Sequence, residues 1–304
     1  MTDTLQVQGE FAPAESSFAA ETLAAAVVAD AAADAVTAEP NGFIELGLAP
    51  ELVQAVADLG YTQPTSVQLK AIPLAMGSGN DSTSFIDLMV SSQTGSGKTA
   101  AFLLPVLHTL IQQQAAAEAE ERAAFERAVA EAAARGEPAP KRAKRKDPTN
   151  SRNFKAATPG ALILCPTREL AQQVAHDAID LVKHCRGLRV ANVVGGMPYQ
   201  LQIAKLQNAN LVVATPGRLL DLQRSMQIKL DKVQFLVVDE ADRMLDLGFS
   251  DDLAELNQLT AQRKQTMMFS ATFAPRIQQL AMRVMHDGGA SVQKVTIDSP
   301  QEKH

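Results

Sequence analysis

Six short runs of large apolar and β-branched residues recur between residues 87 and 272: DLMVSS (87–92), ALILCP (161–166), VANVVG (190–195), LVVAT (211–215), FLVVDE (235–240) and TMMFSAT (266–272), with helical patterns between them. The apolar cores of these runs lack the alternation of a half-exposed strand and read as strands buried on both faces of a parallel sheet. Repeated strand–helix–strand units predict an α/β fold, a twisted, mostly parallel sheet with helices on both faces. In open sheets of this kind ligands collect just beyond the carboxyl ends of the strands. The residues that close each run are therefore where chemistry is expected.

Two run ends carry such residues. FLVVDE closes on adjacent carboxylates, Asp239 and Glu240, which either serve a metal and a base or open the next helix and favour its dipole. The run DLMV leads into SSQTGSGKTAAF (91–102), a Gly-rich turn between a strand and a helical pattern, the context in which backbone N–H groups meet phosphates at a helix N-terminus. Gly95 and Gly97 let the backbone wrap a β-phosphate, with Thr94 and Ser96 completing the loop. Lys98 supplies a cation to the β- and γ-phosphates, and the Thr99 hydroxyl is placed to ligate Mg²⁺. Ser92 stands where the usual pattern of such loops has Gly. With this loop as partner, Asp239 is expected to hold Mg²⁺ through water and Glu240 to orient and deprotonate the attacking water. Lys98, Asp239 and Glu240 form the expected catalytic set.

Composition bounds the rest. With 304 residues and 46% hydrophobic content the chain supports one or two cored domains, and no uninterrupted apolar run is long enough to cross a bilayer. Cys165 and Cys185 offer neither a disulfide framework nor metal-ligand spacing and read as packing thiols in a reducing compartment. The first Lys or Arg of the chain is Lys70, so a secretory signal with a basic n-region is not expected and a cytoplasmic location is. A net charge of -6 and a pI near 5.4 argue against nucleic-acid binding by a bulk basic field, so any such binding must be local.

Residues 1–40, Ala-rich and acidic, are expected to form a disordered tail, and residues 41–298 a globular domain. The segment 112–158 interrupts the rhythm and reads as an insertion, because a helix-to-strand connection usually needs only a few residues. Its Ala/Glu/Arg-rich first half should extend the helix that begins near Thr99 until Gly136 and Pro138 stop it. KRAKRK (141–146) follows, five cations in six positions, and reads either as a phosphate-binding strip or as a solvated linker.

The motif order resembles that of the DEAD-box ATP-dependent RNA helicases. DEAD itself stands at 239–242, with GYTQPTSVQ (60–68), PTRELA (166–171), GG (195–196), TPGR (215–218) and SAT (270–272) in the family's order. The resemblance runs from about residue 43 to the C-terminus, outside the insertion. It departs at Ser92, at Ser66-Val67 and in a lengthened turn, MGSGNDSTSF.

The resemblance implies a RecA-like domain that binds ATP and Mg²⁺. It makes Gln68 the reader of adenine, whose donor and acceptor edge a Gln amide matches, with Phe43 and Tyr61 stacking near the base; for Tyr61 a plain core role is the alternative. It implies RNA-backbone contacts, largely independent of sequence, from Pro166, Thr167, Arg168, Gly196, Thr215, Pro216, Gly217 and Arg218. The two arginines have a structural alternative in salt bridges to Glu169 and Asp221. Ser270 and Thr272 would couple the nucleotide and RNA sites, with Asp242 as their partner. The family carries a second RecA-like domain bearing arginines that complete the ATP site, and residues 299–304 read as the start of the linker to it. The chain is thus expected to be a monomeric, weakly active N-terminal half. The other functions open to it are an adenine-nucleotide or RNA binding module without turnover, or a P-loop ATPase acting on DNA or protein.

Overall fold

The computed structural model describes residues 41–77, 84–93, 95–144, 146 and 151–297. The expected tail at 1–40, Thr94, Arg145 and the expected linker at 299–304 lie outside the described residues.

Helices α1 (Pro50–Asp58) and α2 (Ser66–Ala75) precede strand β1 (Leu88–Ser91), and the long helix α3 (Lys98–Ala134) follows it. Then come β2 (Ala161–Leu164), α4 (Arg168–Leu181), β3 (Val190–Val193), α5 (Tyr199–Leu206), β4 (Leu211–Ala214), α6 (Pro216–Arg224), β5 (Phe235–Val238), α7 (Ala241–Asp246), α8 (Ser250–Leu259), β6 (Gln265–Ser270), α9 (Pro275–Val284) and β7 (Gln293–Thr296). The seven strands form one sheet in the order β3-β4-β2-β5-β6-β1-β7, and every pairing is parallel.

Both faces of the sheet are buried, as the unalternating apolar runs require. Ala161 and Ile163 of β2 enter one apolar cluster, while Leu162 and Leu164 enter the other. All six expected strands form, and each leaves the sheet before its chemically distinctive end: Ser92, Cys165-Pro166, Val194-Gly195, Thr215, Asp239-Glu240 and Ala271-Thr272 stand past the last paired residues.

Strand β7 lies within a stretch where the sequence reading places no strand. Of its four residues only Val295 is buried, so it carries almost no apolar signal. Its formation follows from the free edge of β1, which it pairs from Leu88↔Gln293 to Ser91↔Thr296.

The insertion behaves as its composition dictates. α3 runs 37 residues without interruption, about 55 Å at 1.5 Å per residue, and turns off at Gly136, whose φ is +68°. The chain returns against it, with the Arg142 guanidinium 5.2 Å from the centre of the Phe125 ring. Where α3 leaves the domain, Gln113 and Gln234 exchange amide hydrogen bonds of 2.7 and 3.0 Å.

The buried start of α3 also anchors the segment that leads into α1. His108 Nδ1 accepts a hydrogen bond from the Ala49 N–H at 3.0 Å, so the ring must be neutral, with its proton on Nε2. Burial holds its pKa below the ordinary value. The unfolded chain therefore binds more protons than the folded one as pH falls. This stabilisation is complete above about pH 6.5 and is lost as pH drops through the lowered folded value. Urea unfolding of the parent chain should weaken between about pH 7 and pH 5 more than that of His108→Gln, whose amide oxygen accepts without titrating. Equal losses in the two chains would contradict this role.

Candidate functional site

The carboxyl edge of the sheet divides into two halves. On β5-β6-β1 stand the acid pair, the Ser-Ala-Thr turn and the Gly-rich loop. On the neighbouring β3-β4-β2 stand the Gly-Gly turn and the starts of α6 and α4.

In the first half, the loop after β1 passes Gly95 at φ +83° and Gly97 at φ +79° before α3 begins at Lys98. Gly97 is required twice over: by its left-handed backbone and by contact, since a Cβ there would lie 2.6 Å from Gln68 Nε2 and 2.7 Å from Thr65 Oγ1. Thr65 and Gln68 form a capping box at the start of α2. Gln68 Oε1 accepts from the Thr65 N–H at 3.0 Å, and Nε2 donates to the Gly97 carbonyl at 3.1 Å. The capping helix is thereby tied to the phosphate-type loop. Gln68 is itself buried, 3% exposed, and each end of its amide has the capacity for one further hydrogen bond.

The two aromatic residues expected near the base lie in the core, the alternative already open for Tyr61. Phe43 and Tyr61 are 1% and 2% exposed and belong to the core. Both are consumed in packing the 41–61 segment, because large apolar rings near a sheet edge gain more from burial than from exposure.

The two acids meet Lys98 across the loop. Lys98 Nζ lies 3.0 Å from Asp239 Oδ1 and 3.3 Å from Glu240 Oε1, and the Glu240 N–H donates to Asp239 Oδ1 at 3.0 Å. Burial favours the neutral form of Lys98, but the two carboxylates outweigh it and raise its pKa. Burial likewise pushes the Asp239 carboxyl up, and Lys98 only partly offsets this. The 3.0 Å contact has about the length of a charge-assisted hydrogen bond. Glu240 sits at φ +47°, ψ +56° as the N-cap of α7, a left-handed conformation costly for a non-glycine residue. Its placement therefore trades backbone strain for the direction of its carboxylate. Burial, with Asp239 as the second cause, pushes the Cys165 thiol well up, so it is no nucleophile here.

Buried polar atoms without hydrogen-bond partners mark what the site lacks, although Glu240 Oε2 has the Arg243 guanidinium 3.7 Å away. Asp239 Oδ2, Glu240 Oε2, Ser92 Oγ, Ser96 Oγ and Ser270 Oγ are all in this state. Glu240, Lys98, Ser92, Ser270, Asp242 and Arg243 border a cavity of about 240 Å³. Carboxylate and hydroxyl oxygens suit Mg²⁺, which commonly binds through one or two carboxylates, water and substrate phosphates. The fit is to a cation shared with a nucleotide, since no cluster of three or more His, Cys, Asp or Glu converges among the described residues. Thr99, the residue expected to ligate the cation, is buried in the first turn of α3.

The second half assembles the expected RNA-facing residues. Thr167 caps α4, its hydroxyl accepting from the Leu170 N–H at 3.3 Å. Pro166 is buried behind it, and Arg168 is exposed at the helix start. Thr215 and Pro216 open α6, where a missing N–H costs nothing, and the space beside Gly217 is open. Two arginines converge on the Gly-Gly turn. Arg168 Nη1 reaches the Gly195 carbonyl at 3.5 Å and lies where a Cβ on Gly196 would be. Arg218 donates from Nε to the Val194 carbonyl at 3.4 Å and from Nη2 to the Met197 carbonyl at 3.0 Å. The alternative salt bridges to Glu169 and Asp221 do not form among the described residues. Two helix N-termini, two guanidiniums and a glycine backbone thus share one surface, a set that favours anions.

The coupling residues are placed only in part. Asp242 and Ser270 border the same cavity, yet no hydrogen bond joins Asp242 to Ser270 or Thr272 among the described residues, and Thr272 is exposed. Sequence reasoning missed Tyr199, whose ring lies 5.5 Å from the Arg218 guanidinium, and Gln202. An aromatic just past a Gly-Gly pair was the available signal for the first.

The sequence model of the DEAD/DEAH box helicases matches residues 65–280. The chain is 39% identical over 247 residues to "DEAD-box ATP-dependent RNA helicase 52A" of Oryza sativa subsp. japonica, covering 79% of this chain and 35% of that one. It is 36% identical over 259 residues to "RNA helicase CrhR" of Synechocystis, covering 85% of this chain and 42% of that one. A crystal structure of a DEAD box protein from the hyperthermophile Methanococcus jannaschii superimposes with a TM-score of 0.62 at 29% identity, over 84% of this chain and 56% of that one. The chain thus spans about a third to two fifths of the length of these curated relatives.

Proposed function

Because the chain belongs to the DEAD/DEAH box helicase family, we propose that it binds ATP with Mg²⁺ on the β5-β6-β1 half of its edge and single-stranded RNA backbone on the β3-β4-β2 half. In the intact enzyme this would serve to separate short RNA duplexes. The observation that carries the reading is the division of one sheet edge into a phosphate-and-acid half and a two-arginine, glycine-backbone half.

In the nucleotide half, Lys98 exchanges its carboxylate partners for β- and γ-phosphate oxygens. Asp239, freed from Lys98, would hold Mg²⁺ through water, and Glu240 accepts a proton from the water that attacks the γ-phosphorus as its bond to the β–γ bridging oxygen breaks and ADP leaves. Mg²⁺ would neutralise phosphate charge there. Gln68 reads adenine with the remaining donor and acceptor of its amide. In the RNA half, Thr167, Arg168, Gly196, Thr215, Gly217 and Arg218 hold phosphates and riboses without reading bases. Asp242 and Ser270 border the nucleotide-half cavity, and a link from them and Thr272 to the RNA half would have to form on binding.

The family resemblance assigns transition-state arginines to a second RecA-like domain. Residues 1–304 by themselves are therefore proposed to turn ATP over slowly, given the ~10³–10⁵-fold such arginines supply. We also propose a monomer in a cytoplasmic setting, in keeping with two free cysteines; no helix among the described residues is long and apolar enough to cross a membrane. The deciding experiment is competition for a labelled single-stranded RNA by unlabelled RNA and DNA of one sequence, in the presence of an ATP analogue. RNA should compete and DNA much less. Equal competition, or no RNA binding by the chain, would overturn the assignment.

A further inference from the structure

The Gly195-Gly196 turn needs its backbone held in one orientation to face phosphates, and two residues of α5 do the holding. Gln202 is 0% exposed, and its Nε2 donates to the Val194 carbonyl, the same oxygen that accepts from Arg218 Nε. The carbonyl of one residue and the N–H of the next lie in a single planar trans peptide and point in opposite directions, and no peptide here is cis. Pinning the Val194 oxygen inward therefore turns the Gly195 N–H outward. Neither the Gly195 nor the Gly196 N–H makes a backbone hydrogen bond among the described residues. Gly196, at φ +83°, supplies the left-handed member that lets successive amides converge on an anion.

Tyr199 sits one helical turn before Gln202 on α5. Its ring lies against the Arg218 guanidinium, and its hydroxyl meets the Ser225 hydroxyl at the end of α6. Arg218 is thus fixed on three sides, by the Val194 oxygen, the Met197 oxygen and the Tyr199 ring. A guanidinium preset in this way loses little freedom when it meets a phosphate.

We propose that Gln202 and Tyr199 are positioning residues for RNA binding: they preset the Gly195 amide and the Arg218 guanidinium without touching the RNA. This rests on the reading of the β3-β4-β2 edge as the RNA site. The Gln202 Oε1 is buried without a partner, so Gln202→Leu removes an unsatisfied acceptor along with the donor, and the fold should tolerate it.

The test is anisotropy titration of labelled single-stranded RNA with the full chain, alongside labelled ADP and thermal unfolding. Gln202→Leu and Tyr199→Ala should each weaken RNA binding about three- to tenfold, the scale of one hydrogen bond or cation–π contact. ADP affinity should not change. Tyr199→Phe, which keeps the ring over Arg218, should restore RNA affinity to within about twofold of the parent. RNA affinity equal to the parent in both Gln202→Leu and Tyr199→Ala would overturn the proposal while leaving the RNA site standing. Parallel losses of RNA and ADP affinity would reduce these residues to fold stability and also overturn it; should Gln202→Leu fail to fold, the Tyr199 pair decides. A parent chain that binds ADP but no RNA would overturn the site reading itself, and the proposal with it.

Discussion

The Lys98→Ala chain should bind ADP or ATP at least about a hundredfold more weakly than the parent, since charge-assisted bonds to two phosphates are lost at ~1.5–3 kcal/mol each. It should also be less stable without nucleotide. Asp239 is 0% exposed, and its cation at 3.0 Å is removed, so an unpaired carboxylate remains buried at a cost of about 3 kcal/mol. That loss has a definite pH dependence. A carboxyl whose folded pKa is raised above its unfolded value stabilises the fold fully below the unfolded value and loses that contribution as pH rises through the folded one. The direction at Asp239 is already upward with Lys98 in place and must steepen without it. The stability gap between parent and variant should therefore be widest at neutral pH and close as the solution is acidified. Urea unfolding of both chains across pH, with an ADP titration of each, checks the two halves together. A variant as stable as the parent at neutral pH would show that Asp239 is not buried against Lys98.

Glu240→Gln separates chemistry from binding. Removing a general base typically costs about 10²–10⁴ in rate, so ATP turnover should fall by that factor from whatever slow rate the parent chain shows. Binding should not fall. Glu240 holds Lys98 at 3.3 Å in the unliganded site, competing with phosphates for the same ammonium, and a neutral amide competes less. ATP affinity is therefore expected to equal or exceed that of the parent. Single-turnover hydrolysis and competition binding measure the two quantities. Turnover within about threefold of the parent, less than a positioned base contributes, would remove Glu240 from the proton-transfer role.

The account came out of the sequence unevenly, for physical reasons. Unalternating runs such as Phe235–Val238 can be buried on both faces only in a parallel sheet, so the central strands and the site edge were legible. Gly97 was legible as a loop glycine, but the side chains that exclude a Cβ there come from Thr65 and Gln68, outside the loop. Strand β7 was not legible, because its partner rather than its composition makes it a strand. How deeply Phe43 sits was not legible either, because a motif position carries no measure of how far the core draws in a ring. The brace at Val194 was out of reach for a different cause: Gln202 and Arg218 meet on a backbone oxygen, and sequence pattern does not record where a carbonyl points. The lysine held between Asp239 and Glu240 belongs to the same class, a pairing across 142 residues that determines how phosphates must enter.

The most direct measurement of the central claim is a fluorescence titration of the chain with labelled ADP and Mg²⁺, competed by unlabelled ADP and then by GDP, with Gln68→Ala in parallel. The account predicts that ADP displaces the label, that GDP does so much less well, and that Gln68→Ala removes the difference. Equal displacement by ADP and GDP in the parent chain would contradict the assignment of the Gln68 amide to adenine.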